Sequence, residues 1–325
     1  MKKIAMNDMA CVVTLALVTL IAPGALAETS DAIPSWAFPV NPPGGKPAPD
    51  DGTVKQVPGS AAGFTLTQIR DLFKAPDWHP DGHPPMPDPV GQGRKPGVFA
   101  CGFCHLPNGL GRPENSSLAG LPASYIVQQV ADFKSGHRKS SEPANLPGSL
   151  MVAVAKAATD DEVKIAAEYF SGLERKPWIR VVETETVPKT HVAGWMLISS
   201  DAGMEPIGQR VIEMPENLER TELRDASSGF IAYVPLGSIG KGEALVSTGA
   251  GKTIQCGICH GADLKGLGPV PGLAGRSPSY IVRQLYDIQH GARNGVWTDL
   301  MKAVVSQLSE EDLVSIAAYT ASRAP

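Results

Sequence analysis

The 325-residue sequence is short of cysteine, of aromatic side chains and of long apolar runs, and it carries no strong excess of either charge. Each shortage excludes something. Of five cysteines, one is Cys11 near the start and four sit in two pentapeptides, so none is left over for a disulfide framework. The apolar run at 11–21 falls short of the roughly 20 residues a bilayer core requires, and no later segment is long or apolar enough, so no transmembrane segment is expected in the mature chain. A net charge of −4, with acidic and basic residues mixed, offers no basic face to a nucleic acid.

What is present begins with an export signal. Lys2 and Lys3 precede the apolar run, and Ala25-Leu26-Ala27 follows it as a small-x-small cleavage site, so 1–27 reads as a signal peptide and the mature chain as starting near Glu28. Cys11 leaves with that signal. From 28 to 95 the chain is dense in proline, including Pro84, Pro85, Pro87 and Pro89; proline removes backbone donors and fixes φ, so an extended arm is expected. The exception is 64–73, where Leu66, Ile69, Leu72 and Phe73 share one face behind Thr65 as N-cap, which predicts a short helix. Trp36, Phe38 and Trp78 are its expected anchors.

The two pentapeptides are Cys101-Gly102-Phe103-Cys104-His105 and Cys256-Gly257-Ile258-Cys259-His260. C-x-x-C-H reads as a c-type haem attachment site: two thiols one turn apart add to the porphyrin vinyl groups, and the adjacent imidazole ligates iron. A zinc or dithiol CxxC followed by chance by histidine is the competing reading, and repetition counts against it. The repeat is longer than the motif. Leu118-Ala119-Gly120 and Ser124-Tyr125-Ile126 recur as Leu273-Ala274-Gly275 and Ser279-Tyr280-Ile281, and the offset of 155 persists to Arg138 and Arg293. Each copy predicts a haem-linked helix, a middle helix with Ile126, Val130 and Phe133 or Ile281, Leu285 and Ile288 on one face, and a terminal helix. The terminal helices open on Thr159-x-x-Glu162 and Ser309-x-x-Asp312. Two covalent porphyrins would also supply apolar area to a chain with only 6% aromatic residues.

The expected organisation is mostly α: an arm at 28–95, haem domains at 96–176 and 237–325, and between them an insert at 177–236. Runs at 179–182, 192–198, 210–213 and 230–234 make the insert strand-rich, and Ser238 reads as the cap of a helix leading to the second haem site. Gly249-Ala250-Gly251-Lys252-Thr253 is no phosphate loop, because the position of that motif's first glycine holds Val246.

His105 and His260 are the expected proximal iron ligands. For the other face, Met151 stands nine residues before Asp160 and Met301 nine before Glu310, a matched placement at an offset of 150. No other histidine is matched: His137 aligns with Ala292, and His290 with Ser135. The competing reading is a methionine as core filler, and the paired placement counts against it. If both copies share one scheme, Met151 and Met301 are the distal ligands, and two protein ligands leave no open site on iron, which suits electron transfer.

On these motifs the sequence resembles the dihaem class I cytochromes c, in particular the cytochrome c4 type, over roughly 96–175 and 237–325. The resemblance implies two tandem all-α class I cytochrome c domains with covalent haem c on Cys101 and Cys104 and on Cys256 and Cys259, passing electrons between them. It also implies a proline-rich loop whose backbone carbonyl orients the proximal histidine. Pro269 and Pro271 match that loop, whereas the first copy has Glu114 and Ser116. The arm and the long insert depart from the c4 pattern. The expected function is periplasmic electron transfer between a dehydrogenase-type donor and an oxidase or another cytochrome, as carrier or as electron-transfer subunit. A dihaem peroxidase with one open haem site is the alternative.

Overall fold

The computed structural model describes residues 33–45 and 47–325, and the expected signal peptide lies outside them. Along the arm the described residues form only α1 (Leu66–Ile69), a 3₁₀ turn at Pro80–Gly82 and α2 (Asp88–Gly91). At the start of α1 the Thr65 hydroxyl accepts the Gln68 N–H while the Gln68 carboxamide accepts the Thr65 N–H, a reciprocal capping box. The helix stops short of the predicted 73 because Asp71 Oδ1 accepts the Phe73 N–H at 3.0 Å, an Asx turn that competes with helix continuation. The three expected aromatic anchors all tie the arm down, Trp36 by packing against the core of the second repeat and donating its indole N–H to Glu310 Oε1 at 3.3 Å. Trp78 is buried with Val57, Ile69 and Leu223 and donates its indole N–H to the Leu223 carbonyl at 2.7 Å. Phe38 is buried in the core of the second repeat, edge-on to Tyr286 at 5.7 Å.

The first repeat runs through α3 (Cys101–His105), α4 (Ala123–Ser135), α5 (Leu146–Ala157) and α6 (Asp160–Ser171). The Thr159–Glu162 capping box is present, and α6 buries Ala166, Ala167 and Phe170. Three helices were predicted per repeat; α5 is a fourth. Its local signals are plain: Asn145 accepts the Gly148 N–H at 2.9 Å as N-cap, and Pro147 fits the first turn, where no intrahelical N–H bond is needed.

The segment between the repeats contains β1 (Ile179–Thr184), β2 (Thr186–Ala193), β3 (Met196–Pro206), β4 (Ile212–Pro215), α7 (Leu218–Glu222) and β5 (Phe230–Pro235). β1 pairs parallel with β5, which pairs antiparallel with β4, while β2 and β3 form a separate hairpin. The run at 192–198 is therefore not one strand. It breaks at Gly194 and Trp195, both at positive φ, the backbone a two-residue hairpin turn demands. The Trp195 N–H is held there by Asn41 Oδ1 at 2.9 Å.

The second repeat comprises α8 (Ser238–Thr248), α9 (Gly257–His260), the two-residue strands β6 (Gly266–Leu267) and β7 (Val270–Pro271), α10 (Pro278–Gln289), α11 (Asp299–Val305) and α12 (Glu310–Ser322). Ser238 is not the cap of α8: Gly237 holds that position at φ 80°, and the Ser238 hydroxyl bonds back to the Pro235 carbonyl. α8 crosses α12 at Gly242, where a Cβ would lie 1.9 Å from the Ser315 carbonyl oxygen. The first repeat has no such helix. The offset of 155 sets Pro87 against Gly242, and Pro84, Pro85 and Pro89 fall in the same window, so the chain is confined to the four residues of α2. Its Val90 still packs with Phe170 of α6. Gly242→Val should therefore force α8 and α12 apart at a cost of about 1–3 kcal/mol or more. Thermal denaturation checks this, with Gly240→Ala, which meets nothing within 4 Å, as the neutral control.

Candidate functional site

The two histidines of the pentapeptides are oriented identically. His105 Nδ1 lies 2.8 Å from the Ser116 carbonyl oxygen, and His260 Nδ1 lies 2.7 Å from the Pro271 carbonyl oxygen, each eleven residues on. A carbonyl only accepts, so Nδ1 carries the proton and the Nε2 lone pair is left for a metal. Burial holds both pKa values below the usual histidine value, which keeps the rings neutral, as ligation requires. The first repeat thus keeps the contact without proline, because every residue has a carbonyl. Its loop is shaped by other means: the buried Arg112–Glu114 ion pair, and Asn115, which donates to the Cys104 carbonyl at 3.1 Å.

Three of the thiols beside them are held protonated by burial. Burial pushes Cys101 up to about 12 and Cys256 up to about 11, and Cys104 is raised for the same reason. A redox dithiol or a zinc site requires thiolate. Among the described residues, moreover, no three His, Cys, Asp or Glu side chains converge to hold a metal ion. The dithiol and zinc readings of the motif find no support in this geometry.

In the first repeat the pentapeptide opens on a cavity of about 690 Å³ lined by Cys101, Cys104 and His105. Its walls are apolar, with Leu118, Ile126, Val130, Phe133 and Val154 from the loop, α4 and α5. Met151, on α5, lines the same cavity, with no other methionine and no second histidine among the described lining residues. His137 and His290 lie outside it; the latter stacks on Tyr286 at 3.8 Å. Arg70, Arg138, Arg224 and Arg283 also line the cavity, and among the described residues none has a carboxylate within 4 Å, whereas Arg112 is paired with Glu114. A flat apolar macrocycle with two carboxylates, thioether-linked and ligated from one side, is the chemical complement of this donor set, so a haem c fits. In the second repeat Cys256 and Met301 pack against one core. The two sites differ in cover: Phe103 is 4% exposed and its counterpart Ile258 63%, and Cys259 is exposed where Cys104 is not.

The repeats meet through their own matched residues. Arg138 Nη2 donates to Tyr280 Oη at 2.9 Å and Gln284 Oε1 at 2.7 Å; Arg293 Nη2 donates to Tyr125 Oη at 2.8 Å and Gln129 Oε1 at 2.8 Å. The backbone obeys the same symmetry, with Lys139 N–H to Ala292 O at 2.8 Å and Asn294 N–H to His137 O at 2.6 Å. All of these pairs are related by the offset of 155, so the seam is isologous within one chain. Burial raises the Tyr280 phenol, but the two arginines outweigh it and hold the pKa down at about 8. Sequence reasoning had these residues as repeat markers and missed the seam. Their signal was hydrogen-bonding side chains at equal register in both copies, on faces that an apolar stripe does not occupy.

No known family profile matches the chain. It is 40% identical over 91 residues to cytochrome c4 of Pseudomonas aeruginosa, covering 27% of this chain and 44% of that protein, so the chain spans less than half the length of that relative. A thiosulfate dehydrogenase electron acceptor of Stutzerimonas stutzeri is 26% identical over 232 residues, which cover 70% of this chain and 81% of that protein. Cytochrome c-554(548) of Halomonas halodenitrificans is 37% identical over 78 residues, 24% of this chain and 94% of its own length. With a haem-binding protein matched nearly end to end and the attachment motif present twice, the chain belongs to the dihaem class I c-type cytochromes, as a cytochrome c4-like member.

Proposed function

We propose that the chain is a periplasmic electron-transfer protein with two covalent haems c, one on Cys101 and Cys104 with His105 and Met151 as axial ligands, the other on Cys256 and Cys259 with His260 and Met301. The single observation that carries this reading is the twice-built proximal site, His to carbonyl at the same spacing, with Met151 lining the same cavity as His105. A haem held in this way supplies one-electron chemistry at a potential raised by the sulfur ligand. The protein's own part is to hold rather than to react. Ser116 and Pro271 fix the imidazole planes, α4 and α5 keep water from the first site, and the Arg138–Tyr280 and Arg293–Tyr125 bonds fix one repeat against the other. In this reading 96–176 and 237–325 are the haem domains, with 28–95 as arm and 177–236 as insert.

The donor is proposed to be a dehydrogenase, and the acceptor an oxidase or another cytochrome. A relative named as the electron acceptor of a thiosulfate dehydrogenase, matched over 70% of this chain, supports a donor that oxidises a sulfur oxyanion. The arm and insert favour a subunit of such a complex over a freely diffusing carrier, which requires neither. The test is to mix the oxidised protein anaerobically with a thiosulfate dehydrogenase and thiosulfate. Reduction of both haems, with a haemochrome count of two per chain, supports the reading; a count below two, or no reduction by this or another dehydrogenase, counts against it.

A further inference from the structure

We propose that Arg224, carried by the segment between the repeats, raises the reduction potential of the first haem relative to the second. The inference rests on the dihaem reading above and concerns a residue outside both repeats. Arg224 follows α7 with φ at 58°, a left-handed conformation that is costly for a side chain with a Cβ. Four neighbours hold that loop in place. Leu223 O accepts the Trp78 indole N–H at 2.7 Å, the Asp225 carboxylate bonds His79 at 2.9 Å and Arg220 at 2.7 Å, and Ala226 O accepts from Asn108 at 2.7 Å. Arm and first repeat together thus press this one side chain onto the first attachment site.

There the guanidinium lies 3.7 Å from the centroid of the Phe103 ring, and Nη1 donates to the Phe103 carbonyl at 2.8 Å, inside the pentapeptide itself. It lines the haem cavity beside Cys104. Among the described residues no carboxylate lies within 4 Å of it, and the nearby Arg112 and Glu114 are paired with each other, so of the charges beside Cys104 the one on Arg224 has no protein counter-charge of its own. Burial lowers its pKa, with Arg112 adding to the effect, only to about 9, which leaves it cationic at neutral pH. At the second site the place of Phe103 is taken by Ile258, 63% exposed, which offers a guanidinium no ring to lie on. A fixed positive charge in a site partly screened from water disfavours the more positive, oxidised state of a nearby iron, and thereby raises its potential. Covalent attachment and axial ligands are matched between the repeats; this charge is not.

The test is a potentiometric titration of the full dihaem protein, resolved into two one-electron components, for the wild type, Arg224→Gln, Arg224→Lys and Arg180→Gln. Arg180 is on the same segment with a side chain 61% exposed, and serves as the control for surface charge. In Arg224→Gln the component that a Met151 substitution also displaces should fall by about tenfold in its equilibrium with a mediator, about 59 mV for one electron. The other component should stay within about twofold. Arg224→Lys should restore most of the shift, and Arg180→Gln should cause none. Two unmoved components, two components moved equally, or a lysine variant that behaves like glutamine would each overturn the proposal. A haemochrome count below two would instead overturn the dihaem reading, and this inference with it.

Discussion

Met151→Ala should abolish the far-red charge-transfer absorption of a sulfur-ligated ferric haem for one of the two centres, lower that centre's midpoint potential and open it to azide or carbon monoxide. Met301→Ala should do the same to the other centre and leave the first unchanged. The argument for the first site is geometric: Met151 shares a cavity with His105, and among the described residues that cavity holds no other histidine or methionine to take its place. In the second, Met301 and Cys256 pack against the same core. Sulfur ligation raises the potential by favouring ferrous iron, so its loss moves the potential down. If the methionines are only packing, each variant loses up to about 2–5 kcal/mol of stability and its spectrum does not change. Unchanged spectra in both would sink the ligand assignment and bring forward an open or bis-histidine site, the open one being what the peroxidase alternative requires.

The matched placement of Met151 and Met301, whose role as ligands is a proposal, was legible because duplication provides a control within one chain. So were the capping boxes at Thr159 and Ser309, which need only local hydrogen bonds, and the buried stripe of α12, where Leu313, Ile316, Ala317 and Thr320 are all buried. Helix α5 was missed for a physical reason: its residues line a cofactor cavity rather than a polypeptide core, so its apolar positions do not form one narrow stripe. The absent counterpart of α8 could have been read from register, since four prolines stand where the second repeat has a helix. Glu114 and Ser116 against Pro269 and Pro271 pointed to a difference in side chains, but the contact to His105 is made by backbone and survives it. Arg224 could not have been found from sequence. It belongs to no repeat, and its meaning comes from Trp78, His79 and Asn108, residues far away in the chain that hold its loop against Phe103.

Removing the attachment thiols should have the largest effect, and an unequal one at the two sites. Without haem, the cavity of about 690 Å³ leaves Leu118, Ile126, Val130, Phe133 and Val154 with no apolar partner on that side. The first repeat must therefore collapse or unfold. Cys101→Ser with Cys104→Ser should give one haem per chain by haemochrome, and amide exchange should show protection lost over α4, α5 and α6. The second repeat should stay protected, because its core does not depend on the first. That core instead includes Ala37 and Phe38 of the arm and Val211 and Val234 of the insert, alongside Leu313 and Ile316 of α12. Cys256→Ser with Cys259→Ser removes the haem from the repeat whose core takes in those arm and insert residues. Protection should then fall in β4, β5 and the start of the arm around Phe38 as well as in α8–α12. Equal, local losses in the two double variants would mean that the arm and insert fold independently of the second haem.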